Sequence, residues 1–205
     1  GLQFSLLGCV TGLAYGTETI TSVQKIVGPG NKWVTAAKAE VRGDVEIDFL
    51  AGPSEVVVVA DETADPTLVA AELVAQAEHD PNASVVAVTD DEATAEAIAG
   101  AVDEQVGDRE REDIIREALA NDASGVLHAR SMSEAILFTE AYAPEHLAII
   151  AADDESVLER IDSAGSVFLG PNTPVAAGDY ASGTNHVLPT DGGARVAGGL
   201  SVETF

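Results

Sequence analysis

The chain has 205 residues, 46% of them hydrophobic, which is enough for one packed domain or two small ones. Asp and Glu number 35 against 10 Lys and Arg, a formal net charge of −25, and a surface of that sign repels nucleic acid and anionic membranes. The acids are spread along the chain, from DETADP (61–66) to DREREDIIRE (108–117), and the pattern is that of a protein adapted to high salt, where cations screen self-repulsion. An ordinary acidic cytosolic protein is the alternative. A single cysteine, Cys9, excludes an internal disulfide and a Cys-based zinc cluster, and in its apolar stretch it reads as a small buried residue.

The start, GLQFSLLGCVTGLAYG, is apolar but too short to span a membrane, lacks a basic leader and offers no obvious opening element. It begins with Gly, as a segment of something longer would. KIVGPGNKWVTAAK (25–38) reads as strand, Gly-Pro-Gly turn and helix. EVVVVAD (55–61) is a continuous apolar run suited to a strand covered on both faces. A helix follows from Pro66 to His79, with Pro66 and Thr67 in its first turn. SVVAVTD (84–90) is the next strand, 91–107 and 109–120 are helical, and GVLHA (125–129) is a strand in which His128 reads as a satisfied structural histidine. Ser131 and Glu134 form a capping box for a helix running to about Tyr142. LAIIAAD (147–153), the helix ESVLERIDSAG (155–165) and SVFLG (166–170) complete the alternation.

This pattern predicts an α/β fold: a mostly parallel, Rossmann-like sheet with helices on both faces and an incomplete second domain. Ligands in such sheets bind beyond the carboxyl ends of the strands. Divisions are expected at 1–52, 53–185 and 186–205. The stretch after Pro171 is irregular, yet GDYASGTNHVLPT (178–190) packs Asp, Tyr, Asn and His into few residues, a composition unlike a linker.

Four histidines narrow the chemistry. Gln76 and His79, three apart at a helix end, can offer two donors to one small ion, with Glu72 or Asp80 orienting the imidazole. A helix-terminal hydrogen-bond network is the other reading of that pair. YAPEHLAI (142–149) sets Glu145 and His146 where Pro144 breaks a helix; together they cover both halves of acid–base work, or else they are polar residues facing water. GPGN (28–31) resembles a turn whose amides receive a phosphate, a weak motif alone. AGPSE (51–55) leaves Ser54 before a strand with no nucleophile elbow around it.

Taken in order, IVGPGNKWVTAAK, IDFLAGPSEVVVVAD, LVAQAEHD, APEHL, SAGSVFLG and GDYASGTNHVLPT resemble the histidinol dehydrogenase family over almost the whole chain. The resemblance implies zinc- and NAD-dependent oxidation of L-histidinol to L-histidine through the aldehyde, by a cytoplasmic homodimer. It implies Gln76, His79 and Asp179 as zinc ligands and Glu145 and His146 as the acid–base pair. Ser54, Gln76, His79, His146, Asp179 and His186 become substrate contacts, and Asn31 a cofactor contact. Residues 1–52 then form the remaining half of a cofactor-side domain, 53–185 the domain with the metal and catalytic residues, and 186–205 a return segment.

Three departures from the family pattern matter. Members continue well beyond Phe205 and supply there a Glu and a His, the latter a zinc ligand across the dimer. They also carry an N-terminal portion with a Tyr that touches the cofactor. Where the family has a Gln before LAYGTE, this chain has Gly8, which weakens an NAD contact. The isolated chain is therefore expected to be weakly active or inactive. Competing readings are a zinc-dependent hydrolase with Glu145 as base, and a non-catalytic α/β fragment.

Overall fold

The computed structural model describes residues 6–107 and 109–205. Four elements come first: α1 (Leu6–Tyr15), β1 (Lys25–Ile26), α2 (Lys32–Val41) and β2 (Glu46–Ile47). The two short strands pair in parallel, and Val10 and Ala14 of α1 pack with Val34, Ala37 and Val41 of α2 and with Ile26 and Val45 in a cluster of their own.

The main sheet begins at β3 (Glu55–Ala60), followed by α3 (Pro66–Ala77), β4 (Ser84–Thr89), α4 (Glu92–Val106), α5 (Glu112–Leu119), β5 (Gly125–His128) and α6 (Met132–Tyr142). It continues through β6 (His146–Ile150), α7 (Asp154–Leu158), β7 (Ser166–Leu169) and the single turn α8 (Ala177–Tyr180). The strand order is β5-β4-β3-β6-β7, parallel throughout. The chain thus builds outward from β3 to one edge, then crosses back to lay β6 against the other side of β3.

The expected parallel sheet covered on both faces is what forms. Successive side chains of a strand point to opposite faces, and β3 divides accordingly. Val56, Val58 and Ala60 pack with Val69 and Leu73 of α3, Ile98 of α4 and Ile115 of α5. Val57 and Val59 pack with Ala135 and Ile136 of α6 and Val157 of α7. All four valines are fully buried, each worth roughly 2 kcal/mol in removed apolar surface. Asp65 caps α3 by accepting from Thr67 N–H at 2.9 Å, with Pro66 at the first helical position.

Four expectations change. The apolar start is a helix, α1, held by packing on α2 rather than by any capping signal. Cys9 is exposed on it, because Val10 and Ala14 take the inward face. His128 is exposed, since β5 is the sheet edge and its outer side carries no further element among the described residues. The helix expected over 155–165 stops at Leu158. Beyond it Ile161 drops into the second core cluster, and Gly165 N–H bonds Pro144 O at 2.9 Å, which a continuing helix would prevent.

After β7 the chain is mostly irregular but not loose: Val187, Leu188 and Thr190 are buried. Among the described residues no helix is long and apolar enough to cross a membrane.

Candidate active site

The amino ends of β3 and β6 lie side by side, since Val56 is the register partner of His146. Ser54 and Glu55 enter one strand there, Glu145 and His146 the other. The entry to β6 is abrupt: Ala143 ends α6 in the left-handed region at φ 56°, and Pro144 follows. A non-glycine residue there costs roughly 1 kcal/mol or more, kept only where packing over-determines it. Ala143 is fully buried.

A cavity of about 560 Å³ opens at this edge. It is lined by Ser54 from the β3 entry, Glu72, Gln76 and His79 from the end of α3, and Glu145 and His146 from the β6 entry. Asp179 and Tyr180 of α8, and His186, Val187 and Leu188 of the return segment, close the other wall. Residues distant in sequence therefore meet in one cleft. It does not sit beyond the carboxyl ends of the strands, as expected for such sheets. There, a smaller cavity of about 370 Å³ is lined by Asp61, Glu62, Asp90 and Asp153 against a single cation, Arg160, a net acidic wall that disfavours a pyrophosphate. Asp61 accepts from Ala152 N–H and Asp90 from Met132 N–H, both at 2.8 Å, so these carboxylates fasten loops.

Glu145 is buried, and its Oε2 accepts from Glu55 N–H at 3.0 Å. Burial pushes its carboxyl up to about 7, reinforced by the charges of Glu55 and Asp179 and opposed by the Glu55 amide and the Ser54 hydroxyl. His146 Nε2 lies 3.8 Å from Glu145 Oε2, and His146 Nδ1 is 3.1 Å from Ser166 Oγ. Burial drives His146 down to about 4, against the opposing charge of Asp179. Between those two values both groups are neutral, so their contact is not an ion pair. The Phe168 ring, 6.2 Å from the imidazole centroid to centroid, walls one side.

Gln76 stands in the last turn of α3, while His79 lies just past the helix end and follows by one tight turn, His79 N–H to Gln76 O at 3.1 Å. Both line the cavity, as does Asp179. Among the described residues neither suggested partner hydrogen-bonds His79: Glu72 accepts from Val175 N–H at 3.1 Å, and Asp80 accepts from Asn82. Among the described residues no three His, Cys, Asp or Glu side chains gather as a metal cluster. The donors offered here are one amide, one imidazole and one carboxylate, a nitrogen–oxygen set that suits a divalent cation held in an open site.

Asn31 sits apart. It is the N-cap of α2, its Oδ1 accepting from Trp33 and Val34 N–H at 3.1 and 3.3 Å, and only the neighbouring Pro29 and Gly30 line the cavity. The turn itself is held by a buried ion pair: Lys38 Nζ bonds Asp48 Oδ1 and Gly28 O, each at 2.6 Å, and Asp48 Oδ2 accepts from Gly28 N–H at 2.8 Å.

Sequence reasoning missed Glu55 and Ser166. A charged residue opening an otherwise apolar strand was the signal for Glu55. For Ser166 it was the polar residue after Gly165, whose Cβ, if present, would stand 2.6 Å from Glu145 O.

A family model described as histidinol dehydrogenase matches residues 7–205. The chain belongs to the histidinol dehydrogenase family. A histidinol dehydrogenase of Halobacterium salinarum is 76% identical over 192 residues, 94% of this chain and 45% of the relative. One from Natronomonas pharaonis is 72% identical over 196 residues, 96% of this chain and 46% of that protein. The crystal structure of a histidinol dehydrogenase from Elizabethkingia anophelis superposes with a TM-score of 0.90 at 44% identity, covering 97% of this chain and 46% of its own. The chain thus spans about half the length of the family members it matches. A gamma-glutamyl phosphate reductase from Thermotoga maritima, 14% identical with a TM-score of 0.55, shares the fold.

Proposed function

We propose that this histidinol dehydrogenase chain forms the catalytic half-site for NAD-dependent oxidation of L-histidinol to L-histidine through histidinaldehyde, with one zinc ion per site. One observation supports this most: Ser54, Gln76, His79, Glu145, His146, Asp179 and His186 line a single cleft, although they come from separate segments of the chain. The lining includes three carboxylates, Glu72, Glu145 and Asp179, and neither lysine nor arginine. Such a wall favours a substrate bearing an amine and an imidazole and repels an anionic one.

Gln76, His79 and Asp179 would hold the zinc, which supplies a Lewis acid that orients the substrate's nitrogens; NAD supplies the hydride acceptor. The protein's own part is proton handling. His146, neutral above about pH 4, takes the carbinol proton on Nε2 while Ser166 Oγ holds Nδ1. Glu145, titrating about pH 7, takes a proton from the water that adds to the aldehyde, and the hydrate is then oxidised to the carboxylate. Ser54 orients the substrate at the β3 entry.

On this reading residues 1–52 belong to a cofactor-side domain, 53–185 carry metal and catalysis, and 186–205 return over the cleft. The assembled enzyme is a cytoplasmic homodimer adapted to salt. Since the chain covers 45% of the length of its Halobacterium relative, the isolated 205 residues are impaired in turnover. Absorbance at 340 nm tests the chemistry: two NADH should appear per histidinol, and Glu145→Gln should slow the second oxidation more than the first. Zinc titration of the chain by calorimetry tests the ligand set. Heat unchanged by Asp179→Ala would remove that residue from it, and NAD-independent hydrolysis would favour a zinc hydrolase instead.

A further inference from the structure

We propose that Glu55 is a positioning residue that joins the catalytic carboxylate to the wall formed by the return segment, so that Glu145 and residues 187–191 are held as one unit. The inference rests on the reading of Glu145 as a base, and four observations carry it. Glu55 N–H donates to Glu145 Oε2 at 3.0 Å, while Glu55 Oε1 accepts from Asp191 N–H at 3.0 Å. One residue at the head of the central strand therefore grips two segments, 90 and 136 positions away.

The return segment is gripped again beside it, where Thr190 Oγ1 accepts from Gly52 N–H. Asp191 stands in the left-handed region at φ 53°, followed by Gly192 at φ 72°. Asp tolerates that conformation better than most residues, but it persists where neighbours fix it. Gly193 N–H to Thr190 O at 2.9 Å closes the turn, and the bond from Asp191 N–H to Glu55 ties it to the head of β3. Val187 and Leu188, which line the cavity, lie four and three residues earlier on the same segment.

The second oxygen of Glu55 is the telling detail. Glu55 Oε2 is buried and has no hydrogen-bond partner among the described residues, where it stands alone in that condition. Buried polar atoms are paired in nearly all folded proteins, and exceptions mark function or strain. Facing the Glu55–Glu145 pair are Tyr142 of α6, Asp191, Asp179 of α8, and His146 with His79 beyond it. Burial raises the Glu55 carboxyl above its ordinary range, and its charge in turn raises Glu145. No donor offsets the charge on that oxygen, and the charge of Glu55 acts on Glu145.

Two variants of the 205-residue chain separate position from charge, read without zinc, cofactor or turnover. Glu55→Gln keeps an oxygen for Asp191 N–H and removes the ionisable group; Glu55→Ala removes both. Amide exchange at 187–191 should be unchanged in Glu55→Gln and faster by on the order of tenfold in Glu55→Ala, the loss of one hydrogen bond. Carbon-13 NMR of labelled glutamate should show the Glu145 midpoint lower by about half a unit in Glu55→Gln. Unchanged exchange in Glu55→Ala, or an unmoved Glu145 midpoint in Glu55→Gln, overturns the proposal. If Glu55→Ala does not fold, the Glu55→Gln midpoint alone decides. Zinc and NAD titrations test the dehydrogenase reading separately, and their outcome leaves this coupling standing.

Discussion

His146 and Ser166 are register partners across β6 and β7, and the same two residues are joined by a side-chain bond, Nδ1 to Oγ at 3.1 Å. The sheet ladder that builds the core thereby also sets the angle of the candidate base, leaving Nε2 toward the cleft. Ser166→Ala should lower kcat in the assembled enzyme by on the order of tenfold through a freed imidazole. The melting temperature should hardly move, because the strands remain paired. Equal activity in the alanine variant would show that the ring is aimed by Phe168 instead.

The pH dependence follows from two opposite shifts. Glu145 is raised to about 7, so the stability it contributes is complete below its unfolded value and is lost as pH rises through about 7. His146 is lowered to about 4, so its contribution is complete above its unfolded value and is lost as pH falls through about 4. Between the ordinary values of about 4.5 and 6.5 the two trends oppose each other, so denaturant melts should show stability declining with pH chiefly between about pH 6.5 and pH 8. Glu145→Gln should flatten that decline in part, since Glu55 and Glu72 are raised by burial too. Oxidation of the aldehyde should rise through about pH 7 in the same window.

Gly165 passes under Glu145 with no space for a side chain: a Cβ there would meet Glu145 O at 2.6 Å and its Cα at 3.4 Å. Its neighbour Ser166 donates its amide to Glu145 O at 2.9 Å. Gly165→Ala must push the β6 entry aside, at a cost of about 1–3 kcal/mol. Calorimetric melting should register the loss, and the Glu145 midpoint should shift with it. A variant as stable as the parent would mean that this crossing relaxes freely.

The Lys38–Asp48 pair is buried, with side chains 5% and 0% exposed. Removing one partner strands a charge, so Lys38→Met should cost about 3–5 kcal/mol in chemical denaturation. Replacing both residues by apolar ones should restore much of that. Because the pair holds both the N–H and the C=O of Gly28, NAD affinity should fall in either case, even where stability recovers.

A charge of −25 spread over the chain makes the compact state repel itself. Raising KCl from low concentration to several molar should raise the melting temperature markedly as screening shortens. A melt insensitive to salt would mean that the acids are accommodated individually.

The layering of this protein was written in its local patterns. The valine run at 56–59, the Asp65-Pro66 start of α3 and the Ser131 cap of α6 announce their elements because each depends on neighbours in sequence. Even there a detail escaped: Glu134 returns its carboxylate to Arg130 N–H at 2.7 Å rather than to the Ser131 amide, since which amide lies within reach depends on the incoming turn. Elements that owe their limits to distant partners were less legible. α1 exists by packing on α2, and α7 stops because Ile161 and Gly165 are needed elsewhere.

From residue types and order alone came the α/β class, the family and the names of the side chains with chemistry to offer. Only the tertiary structure decided that these meet at the amino ends of β3 and β6, that Asn31 spends its oxygen capping α2, and that Glu55 grips both Glu145 and Asp191. The reason is physical. Propensity and periodicity act over a few residues, whereas burial, and the proton affinities it sets, arise only when segments far apart in the chain exclude water together.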